Sequence, residues 1–160
     1  MNFKKLITIL ITLGFLGSEC FARSFDDDEA FEFANFIYSI IETAQGMNGG
    51  MVCSFGDDEI SKILSSQTKN FIHLAGNSAK FSSCKAVYVA NGEERSFRSE
   101  VGKFNRKKIL TIATFEGFVE MGGMLQVQIG RRNFELILNS KGVKEAGIKL
   151  SALATSLVIN

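Results

Sequence analysis

The chain has 160 residues, a length that suits one domain. Its 18 Lys and Arg nearly cancel its 17 Asp and Glu, which argues against a nucleic-acid partner, because phosphate backbones select basic patches. Proline and tryptophan are absent, so the 15 phenylalanines must supply much of the core.

Lys4 and Lys5 open the chain with positive charge, and Leu6 to Leu16 (LITILITLGFL) is an uninterrupted apolar run. That run is too short for a membrane-spanning helix, which takes about 20 residues. Gly17 to Ala22 is small and polar and ends in an A-x-A-like site. The pattern predicts a signal peptide over residues 1–22, cleaved after Ala22, and a single domain from Arg23 to Asn160. Glu19 before Cys20 fits a lipid-attachment site poorly. Cleavage would remove two lysines, one glutamate and Cys20, leaving balanced charge and two cysteines, Cys53 and Cys84. An even count in an exported chain points to a disulfide. Export, the Lys-Lys start and the lack of a second hydrophobic span point to a bacterial periplasmic protein.

Asp26, Asp27 and Asp28 precede AFEFANFIYSIIETA (Ala30 to Ala44), an apolar stretch with helical spacing. Asp caps a helix and its charge suits the helix dipole. Consecutive carboxylates diverge around a helix, so capping is expected here rather than a metal site. Asp28, Glu32, Asn35, Ser39 and Glu42 form one polar stripe, and the wide remaining arc predicts burial on several sides. Phe33, Ile37 and Ile40 are assigned to the core. Phe36 and Tyr38 are candidates for partner or dimer contacts.

Gly49 and Gly50 lead into MVCSF, a short strand. In GDDEISKILSS, Gly56 turns the chain, Asp57 or Asp58 caps, and Ile60, Ile63 and Leu64 make a helical face. FIHLA (Phe71 to Ala75), KAVYVA (Lys85 to Ala90) and KILTIA (Lys108 to Ala113) read as further strands, with a polar helix from Glu93 to Phe104. Apolar runs separated by helical stretches predict an α/β fold, a mostly parallel sheet covered by helices. In GGMLQVQIGRRNFELILN, Leu125, Val127 and Ile129 share one face and Gln126 and Gln128 the other. Gly130 to Asn133 turns the chain back. This predicts a C-terminal antiparallel hairpin closing the sheet, with Gly122 and Gly123 allowing positive φ and close approach at its entry. A short helix (Lys141 to Ala146), a break at Gly147 and LSALATSLV complete the chain.

Catalytic constellations are missing from the sequence. His73 is the sole histidine, set in an apolar strand pattern. G-x-S-x-G, P-loop, G-x-G-x-x-G and C-x-x-C patterns are absent. One His and two separated Cys do not make a standard structural zinc site. The NRKK run (Asn105 to Lys108) reads as a solvated turn. The inventory favours a binding or regulatory module over an enzyme, with no cofactor and no metal. In a parallel sheet Cys53 and Cys84 can be neighbours, closing a loop of roughly 30 residues whose entropy contributes about 3–4 kcal/mol. Such a bond is either structural or redox-responsive.

The residues from about Glu29 to Val158 resemble the YfiR family of bacterial periplasmic proteins. The resemblance rests on Leu110-Thr111-Ile112, Gly117-Phe118, Gly122-Gly123-Met124, Asn139, Ala146-Gly147 and Leu150-Ser151 in order and spacing. VCSFGDD (Val52 to Asp58) and SCKAVYV (Ser83 to Val89) match the family's two cysteine stretches. The resemblance implies a dimeric α/β domain that binds the periplasmic sensor region of an inner-membrane diguanylate cyclase and represses it, restraining cyclic di-GMP and biofilm growth. Other members carry a second cysteine pair near the Gly-Gly-Met hairpin, which this chain lacks. Ile137 stands where the family often has an acid, which suggests a more buried or apolar contact there. Met124 and Ile137 join Phe36 and Tyr38 as candidate contact residues. The alternative reading is a small-molecule-binding module with its ligand at the carboxyl ends of the strands. A periplasmic enzyme is the weakest reading.

Overall fold

The structure is a computed structural model that describes residues 26–44, 50–74, 78–130 and 133–159. The expected signal peptide, Gly49, Ala75 and the middle of the expected hairpin turn lie outside the described residues.

Helix α1 spans Asp27–Thr43. Asp26 caps it, accepting the Glu29 N–H at 2.7 Å, and three acids fill its first turn. Ala30, Phe33, Ala34, Ile37, Ile40 and Ile41 are its buried side, the spacing of one helical face. The polar stripe faces out, and so does Phe31, which is 53% exposed.

Strand β1 (Met51–Phe55), helix α2 (Glu59–Gln67), strand β2 (Phe71–Leu74), a 3-10 helix (Ser78–Ser83), strand β3 (Cys84–Val89), helix α3 (Glu94–Arg106) and strand β4 (Leu110–Ala113) follow. After a looped turn come β5 (Leu125–Ile129), β6 (Phe134–Leu138), α4 (Ser140–Ala146), α5 (Ala152–Ser156) and β7 (Val158–Ile159). The strands form one sheet in the order β2-β1-β3-β4-β5-β6-β7. The first five run parallel, and β6 returns antiparallel beside β5. The expected mostly parallel α/β sheet with its C-terminal hairpin is therefore what the chain forms.

Two cores sandwich the sheet. One gathers α1, α2 and the C-terminal helices against Ala86, Tyr88, Leu110, Ile112, Leu125, Val127 and Leu136. The other packs α3 and the 3-10 helix against Cys53, Val87, Val89 and Ala113 through Phe81, Phe97, Phe104 and Phe118. Phenylalanine fills the second core through ring contacts, among them Phe97–Phe118 at 4.7 Å and Phe81–Phe104 at 4.6 Å.

The hairpin is not outermost. Val158 and Ile159 pair in parallel with Leu136 and Ile137, so β7 lies beyond β6. Its two residues sit inside LSALATSLV, too short a run to announce a strand. A strand this short is one way that a sheet limits exposed pairing groups.

Candidate functional site

Several of the residues that carry the family resemblance, Thr111, Phe118, Gly122, Gly123, Met124 and Asn139, meet at the entry to the hairpin. Gly122 has φ 96°, the left-handed region that glycine adopts freely. A Cβ on Gly123 would fall inside the Phe118 ring. Thr111 Oγ1 accepts the Met124 N–H at 3.0 Å, and Asn139 Nδ2 donates to the Gly123 carbonyl at 3.2 Å. Asn105 Nδ2, at the end of α3, donates to the Gly122 carbonyl at 3.2 Å. Asn139 also caps α4, accepting the Gly142 N–H at 2.9 Å. The side chains of Thr111, Asn105 and Asn139 each hold backbone of this joint, which makes it a structural junction between parallel sheet and hairpin. Gln126 belongs to it as well. Strand alternation puts this side chain on a polar face, but the looped turn folds over that face and Gln126 Oε1 accepts the buried Phe118 N–H at 3.1 Å.

Cys53 and Cys84 are joined, with Cα atoms 5.9 Å apart and a sequence separation of 31. Their meeting depends on a bulge. Met51 pairs with Cys84 but Val52 pairs with Ala86, so Lys85 is an extra residue in β3. In unbroken alternation Cys84 would share the face of Ala86 and Tyr88, which belongs to the α1 core. The bulge turns Cys84 to the other face, diagonally across from Cys53, inside the phenylalanine core. Sequence spacing alone does not reveal that extra residue.

The strand order reverses between β1 and β3, the place where open α/β sheets usually take ligands at the carboxyl ends of their strands. Here Asp58 fills that place. Its Oδ1 accepts the Ser61 N–H at 2.8 Å and Ser61 Oγ accepts the Asp58 N–H at 2.9 Å, closing a capping box on α2. Its Oδ2 accepts the Tyr88 hydroxyl at 2.8 Å and the Asn91 N–H at 3.0 Å. Glu93 packs over Gly56 beside it. One carboxylate thus ties the loop after β1 to the loop after β3. Of the two expected caps, Asp58 is used.

Tyr88 is fully buried, and burial pushes its phenol well above the usual value of 10.0, with the Asp58 charge adding to the shift. The neighbouring Thr114 hydroxyl pulls the other way. The folded chain therefore holds this proton more tightly than the unfolded one. The stabilisation is complete below the ordinary tyrosine pKa and is lost as pH climbs past it toward the raised value. Equilibrium unfolding from neutral pH to above pH 10.0 is expected to show an alkaline decline that is shallower in Tyr88→Phe. An identical decline in both proteins would assign the alkaline loss elsewhere.

His73 lies on the exposed edge strand β2, its Nδ1 2.8 Å from Ser54 Oγ. Ser54 is completely buried, so this pair bridges two strands and offers no accessible nucleophile. Among the described residues, no group of three His, Cys, Asp or Glu is placed to hold a metal ion. No helix of the described residues is long and apolar enough to cross a membrane.

The four candidate contact residues do not form one surface. Met124 is 1% exposed within the α1 core, so it is corrected from contact residue to core residue; its carbonyl and N–H, not its side chain, serve the joint. Phe36 is half-buried and stacks on Phe134 of β6 at 4.5 Å, while Phe33 meets the same ring edge-on at 5.1 Å. Tyr38 is half-buried with a phenol raised by its hydrogen bond to Glu42. Ile137 alternates with Leu136 and so faces the other side of the sheet, half-buried between Gln126 and Ile159. Sequence reasoning expected contacts from the hairpin and the first helix but did not name Ile129 at the hairpin tip, which is 47% exposed beside an open depression bounded by Phe134, Leu157 and Val158. Alternation placed Ile129 with the buried Leu125 and Val127, yet at the end of the strand, opposite Phe134, it stays largely exposed.

The solved structure of a conserved domain protein from Vibrio cholerae aligns with a TM-score of 0.57 at 9% identity, covering 81% of this chain and 58% of that one. The ABC domain in complex with L-Trp from Streptococcus pneumonia aligns with a TM-score of 0.54 at 13% identity, covering 81% of this chain and 60% of that one. These similarities show a shared α/β fold and no more, and the chain spans under two thirds of either structure. No curated protein matches the chain. The sequence profile of one family does match, over residues 30–156, which contain both cysteines, the hairpin joint and the caps of α2, α4 and α5. The chain belongs to the YfiR/HmsC-like family.

Proposed function

We propose that the protein is a non-enzymatic regulator, exported to the periplasm as one domain beginning at Arg23. It binds the periplasmic region of an inner-membrane signalling protein, a diguanylate cyclase, and holds its cytoplasmic output low. Membership of the YfiR/HmsC-like family over residues 30–156 is the observation that carries this reading. The disulfide supports it, since such bonds persist in oxidising compartments. The protein acts by differential affinity: it binds the inactive state of the sensor more tightly and draws the population toward it. Homodimerisation is part of the proposal, with α1 and the hairpin tip as the contact regions because Phe31 and Ile129 leave large apolar groups exposed there.

Crosslinking in intact cells, followed by mass spectrometry of the captured protein, tests the reading. The expected result is one dominant inner-membrane protein with a periplasmic sensor and a cytoplasmic cyclase domain, and higher cyclic di-GMP when the regulator is deleted. Capture of the protein's own copies alone, with cyclic di-GMP unchanged on deletion, would overturn it in favour of a small-molecule-binding module.

A further inference from the structure

The near-zero net charge conceals a strong separation. Between Asp26 and Ala44 there are six carboxylates and no cation. Between Glu94 and Lys108 there are six cations and two carboxylates. Helix α1 and helix α3 pack against opposite faces of the sheet, so an acidic helix lies on one side and a basic helix on the other; the loop after β4, packed beside α3, adds the exposed carboxylates Glu116 and Glu120.

On α3 the arrangement is sharper than the count. Phe97 and Phe104 are its buried side. At about 3.6 residues per turn, Arg95, Ser99, Gly102 and Arg106 lie on the line directly opposite, with Arg98 and Lys103 on its flanks. Glu94 and Glu100 sit back toward the buried side and are partly covered. Glu100 is paired with Lys103 at 2.7 Å. Arg95, Arg98, Arg106, Lys107 and Lys108 are all exposed. Gly102 leaves a gap in the middle of the stripe, with the Arg106 guanidinium 3.5 Å from where a Cβ would stand. The outermost face of the helix therefore presents guanidinium groups with no carboxylate among them.

We propose that this α3 face docks the protein on an anionic phospholipid surface. Charge complementarity argues for that occupant, and so does what the face lacks. Protein interfaces depend on a desolvated centre of large apolar and aromatic groups. Among the described residues the large exposed apolar ones are Phe31, Ile129 and Ile159, and none is on α3. A fluid anionic surface needs no such anchor, and each Lys or Arg held near it raises partitioning roughly fivefold. The attraction fades within a Debye length, so it is salt-sensitive and reversible. The inference is independent of which membrane protein is regulated. With α3 against lipid, the acidic α1 side points away from the bilayer.

Cosedimentation of the exported protein with vesicles tests it, using phosphatidylcholine alone and phosphatidylcholine with phosphatidylglycerol. Binding is expected only to the anionic vesicles, falling steeply as salt is raised. Arg98→Glu with Arg106→Glu is expected to lower binding at least a hundredfold while the melting midpoint falls by no more than about 4 °C, since both side chains are exposed and only Arg106 faces the helix C-terminus. Equal binding to both vesicle types, no binding to either, or binding indifferent to salt would overturn the proposal without any variant. Unchanged binding by the double variant would overturn it as well. So would a wild type that ignores lipid but loses its crosslinked protein partner, or its own self-association, on the same charge reversal, which would assign the face to an acidic protein surface.

Discussion

Replacing both bridging cysteines, Cys53→Ala with Cys84→Ala, is expected to cost about 3–4 kcal/mol of stability and about 10 °C in melting midpoint. The bond joins positions separated by 31 in sequence and encloses α2, β2 and the 3-10 helix, so its loss returns that loop's entropy to the unfolded chain. This is a large part of the ~5–15 kcal/mol that holds a typical domain. Alanine is the appropriate replacement because both sites lie in the apolar second core, where a serine hydroxyl would want a partner. Denaturant unfolding with and without a thiol reductant checks the result. The wild type should fall to the curve of the variant on reduction, and the variant should not respond. If the reduced wild type, verified by thiol labelling, unfolds at its original midpoint, the bond contributes nothing of this size. The loss should also be uneven. Strand β2 is four residues long, partly exposed and at the sheet edge, so its amide exchange should quicken before that of β3 or β4.

Asp58→Ala is expected to cost about 3 kcal/mol, more than a helix cap alone. Losing the cap costs about 1 kcal/mol. The Tyr88 hydroxyl is left in a fully buried site without its acceptor, which costs about 1–3 kcal/mol, and the Asn91 N–H loses its partner too. Tyr88→Phe should cost less, because the half-exposed carboxylate that remains can turn to water. A double-mutant cycle on denaturant midpoints separates the contributions. Additive losses would mean that Asp58 and Tyr88 are not coupled, contrary to their 2.8 Å hydrogen bond.

Much of this architecture was legible because the signals were local. Short apolar runs marked four strands and alternation marked the two of the hairpin, the aspartates before α1 and α2 marked the caps, and the paired glycines marked the hairpin entry. What escaped was set by tertiary contacts. Gln126 is buried by a turn that folds over it from eight residues away, which alternation within β5 does not register. Met124 follows the glycines in sequence, yet its side chain enters the core because the Thr111 hydroxyl fixes its N–H. Strand β7 has only two residues and exists because β6 offers a pairing edge. The contact surface was the least legible part. Phe36 and Ile137 are both half-buried, but whether two half-buried residues share a side depends on which face of the sheet each meets.

The bulge at Lys85 also makes the disulfide a lock on register. Within a folded sheet, a β3 that pairs with β1 without the bulge presents Cys84 to the α1 side, away from Cys53. The bond spans the bulged pairing alone, so the oxidised chain can lay its two central strands together in one alignment and is barred from the unbulged one.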